Sequence, residues 1–349
     1  MGSRTAGRRF LAALTGPLEL ALDTSLEATI AGSFSRIGYQ VRARSQHWKD
    51  PQRLDEHVVL VTGASSGIGL AAAATLGRLG ATLWIAGRDP DRTDAAARQA
   101  AETGAPRVET AVVDLADGKA VDELASRIIR TERRLDCLVH GAGALVREYT
   151  ESPDGIEQTV ATHVLAPFRL TWRLRTLLRS NPAGATIVTV TSGGMYTQRF
   201  DLDRLASGRD GYDGVRAYAR SKRAQVVLSH EWAHRWGADG VASYAVHPGW
   251  VATPGLMAGL PGFARLGPLL RRPEEGADTL VWLAAGAARS PAHGTGEPLA
   301  RDGLFLDRRR RKEHYLPWTR AADPLEDQRQ LWAWCARRTG IATGEGRTR

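Results

Sequence analysis

HVVLVTGASSGIG, at residues 57–69, is the stretch that decides the fold. Residues 58–61 form an apolar run typical of a strand buried on both faces, and the alanine- and leucine-rich residues 70–79 are typical of a helix. The glycines between them suit a tight turn at Gly63, close approach of a pyrophosphate at Gly67 and close packing of helix on strand at Gly69. The positive end of the helix then faces an anion. We therefore expect this loop to hold the phosphates of a dinucleotide.

The composition is that of an ordinary globular protein with a basic surface. The chain has 349 residues, of which 43% are hydrophobic and 24% charged, and a formal net charge of +9. This length allows one large α/β domain with extensions, or two small domains. Only two cysteines occur, Cys137 and Cys335, so we expect a reducing compartment, no disulfide framework and no metal site. The arginine clusters at 8–9 and 308–312 favour a solvated basic surface over a nucleic-acid site, because no nucleic-acid-binding module is visible.

The first 53 residues differ from the rest of the chain. Leucines at 11, 14, 18, 22 and 26 recur at helical spacing, which predicts an amphipathic helix covering a core edge or a dimer contact. A membrane-surface role is the alternative. Residues 8–11 resemble the start of a twin-arginine export signal, but Gly16 and Pro17 interrupt the apolar stretch. No apolar run reaches the ~18 residues that span a bilayer. We expect a cytoplasmic protein, with peripheral membrane contact as the alternative.

Strands and helices alternate from residue 54 to residue 306. Strands are expected at 58–61, 82–86, 107–113, 135–139, 186–191, 241–246 and 299–306, and helices at 70–79, 91–102, 119–132, 156–179, 218–236 and 274–285. The alternation predicts a Rossmann-like, doubly wound α/β fold whose seven-stranded parallel sheet has helices on both faces. Residues 1–53 are then an N-terminal extension and 307–349 a basic tail. In this tail Trp332 and Trp334 either pack onto the domain or belong to a lid over the substrate.

The end of the second predicted strand indicates which cofactor is preferred. In dinucleotide-binding folds an acidic residue at this position bonds the 2′-hydroxyl of the adenosine ribose. Here the strand ends in Gly87-Arg88, so the acid is absent and a 2′-phosphate would meet a guanidinium. This predicts NADP(H) in preference to NAD(H). A surface ion pair of Arg88 with Asp89 or Asp91 is the alternative.

Tyr218 and Lys222 lie four residues apart, which places both side chains on one face of a helix. A free tyrosine has a pKa of ~10, and a neighbouring ammonium is expected to lower it towards neutrality. Ser192 follows a predicted strand at the sheet edge where ligands bind, and its hydroxyl can hold a substrate oxygen against the tyrosine. The three side chains predict proton transfer to or from a carbonyl or alcohol.

The Gly-x3-Gly-x-Gly spacing at 63–69, followed by Ser192, Tyr218-x3-Lys222 and Pro248-Gly249 in that order, resembles the short-chain dehydrogenase/reductase family. Residues 35–39, 192–195, 247–255 and 303–319 are similar to the subgroup named for dehydrogenase/reductase member 12. The resemblance implies an oxidoreductase that uses an NADP-type cofactor on lipophilic carbonyls or alcohols.

This resemblance also implies a set of contact residues, with three departures from the family pattern. The expected cofactor-binding residues are Gly63, Ser65, Ser66, Gly67, Ile68, Gly69, Arg88, Asp114, Leu115, Gly141, Ala142, Gly143, Tyr218, Lys222, Pro248, Gly249, Val251 and Thr253. His140 and Gly141 replace two asparagines that brace this loop in the family, so we expect the bracing to be missing. His163 replaces an asparagine of the proton path and is expected either to relay a proton or to be a core histidine. Asp114 either contacts the adenine or caps a loop or helix.

Two other classes of function stay open at this level. The departures at 140, 141 and 163 are compatible with a cofactor-binding scaffold or sensor without turnover, and the basic charge with a nucleic-acid binder whose affinity would fall steeply with salt. The family often pairs through its long helices, which implies a homodimer or tetramer. The expected partner is a small-molecule carbonyl or alcohol, converted by catalytic residues Ser192, Tyr218, Lys222 and His163.

Overall fold

In the described part of the chain, eight strands form a single sheet in the order β3-β2-β1-β4-β5-β6-β7-β8. The computed structural model describes residues 30–286, 300–314, 317–319 and 323–343. The strands are β1 Val58–Thr62, β2 Thr82–Gly87, β3 Val108–Val112, β4 Cys137–His140, β5 Ala185–Val190, β6 Val241–Val246, β7 Asp302–Leu306 and β8 Arg309–Arg311. Strands β1 to β7 are parallel, and β8 is antiparallel to β7. The predicted doubly wound α/β fold is confirmed, with ligands expected where the strand order reverses between β1 and β4.

Helices connect the strands and extend the chain at both ends. They are α1 Ile30–Phe34, α2 Arg36–Ser45, α3 Gly67–Arg78, α4 Pro90–Glu102, α5 Gly118–Thr131, α6 Gln158–Val160, α7 Ala166–Arg173, α8 Arg175–Arg179, α9 Leu202–Leu205, α10 Gly214–Trp236, α11 Pro254–Gly259, α12 Pro273–Ala284 and α13 Leu325–Thr339. A π-helical turn covers Ala161–Leu165, and 3₁₀ turns cover Gly193–Thr197, Gly237–Asp239, Pro261–Leu269 and Pro317–Thr319. None of the helices in the described ranges has an apolar stretch long enough to cross a bilayer.

The sheet is buried on both faces, as the apolar run at residues 58–61 predicted. Val58 and Leu60 pack into the core on one face, and Val59 and Val61 into the core on the other. This follows from the strand period of two, which sends successive side chains to opposite faces. Helices therefore cover both sides, and the carboxyl ends of the parallel strands meet along one edge.

The helix predicted at 156–179 is present over residues 158–179, but it is irregular and has four parts. A π-turn at Ala161–Leu165 separates α6 from α7, and a further break at Leu174 separates α7 from α8. Pro167 lies at the start of α7 and has no N–H, so the α-helical hydrogen bond from residue 167 to the carbonyl of His163 cannot form. The apolar periodicity was predicted correctly, but the proline changes the backbone at the position of His163.

An eighth strand extends the sheet beyond residue 306, where the last predicted strand ends. Leu306 pairs with Arg309, so β7 and β8 are joined by the two residues Asp307 and Arg308. Both have φ of 55°, as a two-residue type I′ hairpin requires. We missed the turn because Asn-Gly and similar pairs are its usual signal. Part of the arginine run is thus an edge strand. Arg308 forms an ion pair with Asp278.

The buried carboxylate of Asp307 fastens the N-terminal segment to the sheet. It accepts hydrogen bonds from Nη1 of Arg42 at 2.7 Å and from Nη1 of Arg271 at 2.6 Å. All three side chains are almost fully buried. Arg271 also donates to the backbone carbonyls of Ser33 and Phe34. The sequence predicted no structure for this segment, and the amphipathic helix predicted from Leu11 to Leu26 lies outside the described residues.

The C-terminal tryptophans pack onto the domain, which was the first of our two interpretations. Trp332 on α13 is 3% exposed and lies edge-on to Phe168 of α7, with ring centroids 4.9 Å apart. Trp334 is also buried in the same core cluster. Helix α13 contacts α10 and therefore belongs to the helical layer of the sheet.

Candidate active site

Three loops converge at the carboxyl ends of β1, β4 and β6. A Cβ built on Gly63 would lie 2.6 Å from Cα of Ala142, and one built on Gly67 would lie 3.0 Å from Cγ2 of Thr253. Gly63 also has φ of 70°, a conformation that costs other residues free energy. The glycine loop therefore packs directly against the loops after β4 and β6, as expected for residues that enclose one ligand.

The N-terminus of α3 offers backbone amides for an anion. Its first residue is Gly67, and Ser66 before it is extended and makes no side-chain capping hydrogen bond within the described part of the chain. Unsatisfied amides at a helix N-terminus bind phosphate groups well, aided by the helix dipole. This arrangement of backbone amides fits the phosphates of a nicotinamide dinucleotide.

Arg88 and Asp114 follow β2 and β3 at the same edge of the sheet. Arg88 is exposed, and no ion pair of its side chain occurs among the described residues, so the alternative pairing with Asp89 or Asp91 is not observed. Asp89 instead caps α4 by accepting from the amide of Arg92. Asp114 is half-buried, and its Oδ1 accepts from the amide of Ala116 at 2.9 Å, whereas its other carboxylate oxygen has no hydrogen bond among the described residues.

The loop after β4 is braced, contrary to our expectation. The hydroxyl of Thr62 on β1 donates to the carbonyl of Val139 and accepts from the amide of Gly141 at 3.2 Å. The imidazole of His140 is buried, and its Nε2 lies 2.7 Å from the hydroxyl of Thr171. Thr62 thus supplies part of the bracing that the two asparagines give in the family. Thr62 directly precedes Gly63 in the sequence, but its contact with the loop after β4 depends on how β1 and β4 pair.

Ser192, Tyr218, Lys222 and His163 form one cluster beside these loops. Nζ of Lys222 lies 5.6 Å from the ring centroid of Tyr218, and the His163 ring lies edge-on to the Tyr218 ring at 5.5 Å. Ser192 caps the 3₁₀ turn after β5, and its side chain is close enough to the Tyr218 phenol to influence the pKa of that group. A Cβ on Gly143 would lie 3.3 Å from Nζ of Lys222, so the cluster adjoins the loop after β4.

The protonation of this cluster differs from our expectation. Burial raises the pKa of Tyr218, and the hydrogen bond from Ser192 opposes this rise. Burial lowers the pKa of Lys222 to about 7. We predicted that the charge of Lys222 would lower the pKa of Tyr218, and this is wrong for the observed arrangement. The ammonium is only partly charged at neutral pH, and it donates to Val190 and Gln225 instead. The phenol is therefore protonated at neutral pH and ready to donate.

The imidazole of His163 is neutral, and both of its nitrogens are occupied. Burial and the nearby Lys222 hold its pKa well below the usual range. Nε2 accepts from the amide of Ala144 at 3.2 Å, so the proton is on Nδ1, which lies 2.8 Å from the hydroxyl of Ser221. These contacts support the core-histidine interpretation, although the partners are an amide and a hydroxyl rather than a carbonyl. The proton relay stays a prediction.

Comparison with known proteins agrees with this geometry. The sequence model of the family described as short chain dehydrogenase matches residues 57–259. This chain belongs to the short-chain dehydrogenase family. It is 36% identical to Dehydrogenase/reductase SDR family member 12 of Bos taurus over 78% of this chain and 83% of that protein. It is 33% identical to Retinol dehydrogenase 11 of Mus musculus over 66% of this chain and 74% of that protein.

A solved structure supports the same assignment. The NADPH complex of a protein from Escherichia coli CFT073 superposes with a TM-score of 0.57 and 26% identity, covering 69% of this chain and 95% of that one. The predicted resemblance to the family and to its member-12 subgroup is therefore confirmed. As a short-chain dehydrogenase, the chain is an oxidoreductase that binds a nicotinamide cofactor.

The other residues that were predicted to contact the cofactor lie near the site, and most of them pack against neighbouring parts of this short-chain dehydrogenase. Val251 is buried and packs against Gly276, while Pro248 is buried beside Gly249, which Arg271 covers. Ile68 and Leu115 pack partly against the core clusters. Ser65 lies next to Gly87 at the end of β2.

Sequence reasoning missed two residues that contact the site of this short-chain dehydrogenase. Phe34 packs its ring against His247 and Tyr196, next to the turn after Ser192. Gln225 hydrogen-bonds Lys222. The position of Gln225, three residues after Lys222 on the same helix, was a signal that could have found it, whereas Phe34 lies far away in the sequence.

Proposed function

We propose that this chain is an NADP(H)-dependent oxidoreductase that interconverts a carbonyl and a primary or secondary alcohol on a lipophilic small molecule. The observation that carries the proposal is the position of Tyr218 against Lys222 and His163, two side chains that adjoin the loop containing Gly143. An acid-base phenol next to a dinucleotide loop is the arrangement that hydride transfer to a carbonyl needs.

The raised pKa of Tyr218 supports the direction of carbonyl reduction. When bound, the nicotinamide would supply the hydride. Ser192 would hydrogen-bond the carbonyl oxygen and hold it against the phenol, and Tyr218 would donate its proton to that oxygen as negative charge develops. Lys222 would bind the nicotinamide ribose and, in its charged form, stabilise the phenolate that remains. Alcohol oxidation would use the same groups in reverse.

Arg88 supports the preference for NADP(H). Its guanidinium is exposed and unpaired among the described residues, directly after the strand that ends in Gly87. Arginine binds phosphate through charge-assisted, often bidentate hydrogen bonds, whereas the 2′-hydroxyl of NAD(H) offers no negative charge. The Escherichia coli structure with NADPH is consistent with this preference.

Apolar side chains near Thr253 support a lipophilic substrate. Leu256 and Met257 on α11 are half-buried, and Gly259 at its end packs against Leu145. The name of the murine relative, a retinol dehydrogenase, is consistent with such a substrate. The cytoplasmic location, the homo-oligomeric state and the peripheral membrane contact of the N-terminal residues stay predictions.

A panel of aldehydes and ketones with NADPH or NADH tests the proposal. We expect cofactor consumption with at least one lipophilic carbonyl, faster with NADPH, and a loss of about 100-fold in Ser192→Ala. The alternative is a scaffold or sensor of the same fold. Tight NADPH binding without turnover on any carbonyl or alcohol would favour that alternative.

A further inference from the structure

The ammonium of Lys222 is held by two acceptors that come from different parts of the fold. Nζ donates to the carbonyl of Val190 at the end of β5 at 2.9 Å and to Oε1 of Gln225 at 3.0 Å. Lys222 is 4% exposed and Gln225 is 1% exposed. An ammonium has three N–H groups, so two of them are committed and one remains. These two hydrogen bonds fix the direction in which the third N–H group of Lys222 points.

The other end of the Gln225 amide is bound to the backbone of the π-turn. Nε2 of Gln225 donates to the carbonyl of His163 at 2.9 Å. This carbonyl cannot receive the usual helical hydrogen bond, because residue 167 is a proline. The orientation of the amide is unambiguous, since an ammonium only donates and a carbonyl only accepts. Gln225 therefore bridges Lys222 and the His163 carbonyl.

The residue whose carbonyl accepts from Gln225, His163, is also held in place by its side chain. The imidazole of His163 is fixed by Ser221 on one side and by the amide of Ala144 on the other. Ser221 donates in turn to the carbonyl of Tyr218. The π-turn, helix α10 and the loop after β4 are therefore connected by buried hydrogen bonds, and Gln225 is the side chain that links this network to Lys222.

We propose that Gln225 is a positioning residue that holds the ammonium of Lys222 beside Gly143 and Tyr218. The effect of Gln225 on turnover rests on the proposed function, because it requires that Lys222 takes part in the reaction. Its effect on the position and pKa of Lys222 does not. The amide also provides one of the two oxygen dipoles that stabilise the charged lysine in a buried place. Its contribution is therefore both geometric and electrostatic.

The charge state of Lys222 should respond strongly to residue 225. The titratable groups that face Lys222 are Tyr218 on its own helix and His163 on the π-turn, and both are uncharged at neutral pH. Burial alone lowers the pKa of Lys222 to about 7, without a carboxylate to oppose it among the described groups. Removing the amide oxygen should lower this pKa further, and a carboxylate in its place should raise it.

Two opposite substitutions test the proposal. We expect Gln225→Leu to lower and Gln225→Glu to raise the pKa of Lys222 by about one unit each, measured by NMR titration of ¹³Cε-labelled lysine. The alkaline limb of kcat/KM should move with it, to lower pH in the first variant and to higher pH in the second. Gln330→Leu and Gln330→Glu, at an exposed site on α13, should change neither quantity.

The outcomes separate the role of Gln225 from the proposed function. If both variants leave the Lys222 titration unchanged, or move it in the same direction, the positioning role is wrong. If the wild type has no turnover but its Lys222 titration responds as expected, the proposed function fails and the bridge stands. Should Gln225→Leu not fold, Gln225→Met, which keeps the length and apolar stem, takes its place beside Gln225→Glu.

Discussion

The ring of Phe34 lies edge-on to the imidazole of His247, with ring centroids 4.3 Å apart. The Phe34 ring also stacks on the ring of Tyr196. The backbone carbonyl of Phe34 accepts a hydrogen bond from the amide of Trp250 at 2.8 Å. A residue of the N-terminal extension thus supports both the turn after Ser192 and the loop after β6. This segment lies outside the part of the chain that the family model matches.

Replacing Phe34 should affect the substrate side of the site more than the cofactor side. In Phe34→Ala the loss of a buried ring should lower the free energy of unfolding by about 3–5 kcal/mol. We expect the KM for a carbonyl substrate to rise by about tenfold, since both supporting loops lose a contact, while the Kd for NADPH changes by less than about twofold. Phe34→Leu should recover part of both losses. Equal weakening of substrate and NADPH binding would contradict this division.

The buried carboxylate of Asp307 should be among the most sensitive positions for stability. It binds Arg42 and Arg271, and Asp307→Ala would remove the carboxylate that these two buried guanidinium groups share. Breaking a buried ion pair on one side costs about 3–5 kcal/mol, which denaturant unfolding would measure. Asp55→Ala, which removes an exposed ion pair with Arg53, is the matched control and should change stability little. A small loss in Asp307→Ala would refute the anchoring role.

His230 should make stability depend on pH in the alkaline range. Burial lowers its pKa, but hydrogen bonds to Asp302 and Glu313 outweigh this effect and raise it to about 9. The folded state therefore holds the proton more tightly, so the stabilisation is complete below pH ~6.5 and is lost as the pH rises through about 9. The contribution of His230 to the free energy of unfolding is at most about 3 kcal/mol.

The measurement for His230 is the difference in unfolding free energy between the wild type and His230→Gln from pH 6 to pH 10. A difference is needed because Lys222, with its lowered pKa, gives the opposite slope in part of this range. We expect the difference to shrink as the pH rises. A difference that stays constant with pH would show that the ion pairs of His230 do not stabilise the fold.

Arg88 should decide between the two nicotinamide cofactors. Arg88→Ala should raise the Kd for NADPH by about 10- to 100-fold, as expected for one charge-assisted contact, and leave the Kd for NADH nearly unchanged. Arg98→Ala, at an exposed position further along α4, is the matched control. Calorimetric titration with both cofactors measures the effect. An equal change for NADPH and NADH would remove Arg88 from the recognition of a 2′-phosphate.

Most of the fold could be predicted because its signals are local. Strand β6 begins and ends where the sequence predicted, and α4 and α5 differ from the prediction by one residue at one or both ends. The errors had one local and one distant cause. The π-helical turn that contains His163 depends on Pro167, four residues later in the chain, whereas the hairpin at Asp307 is held by arginines from two distant segments.

The candidate site was predictable in its residues but not in its hydrogen bonds. Tyr218 and Lys222 share a helix face, as four-residue spacing dictates. The partners of Lys222 and the bracing by Thr62 depend on how helices and strands pack, which no single sequence pattern contains. The pKa of Tyr218 was predicted in the wrong direction, because burial was not visible in the sequence.

Transfer of deuterium from [4,4-²H₂]NADPH to a carbonyl substrate tests the central claim most directly. The wild type and Tyr218→Phe should bind NADPH with similar Kd, but deuterium should appear on the alcohol carbon at least about 100-fold more slowly in the variant, because the proton donor is lost. Transfer at the wild-type rate in Tyr218→Phe would contradict the account.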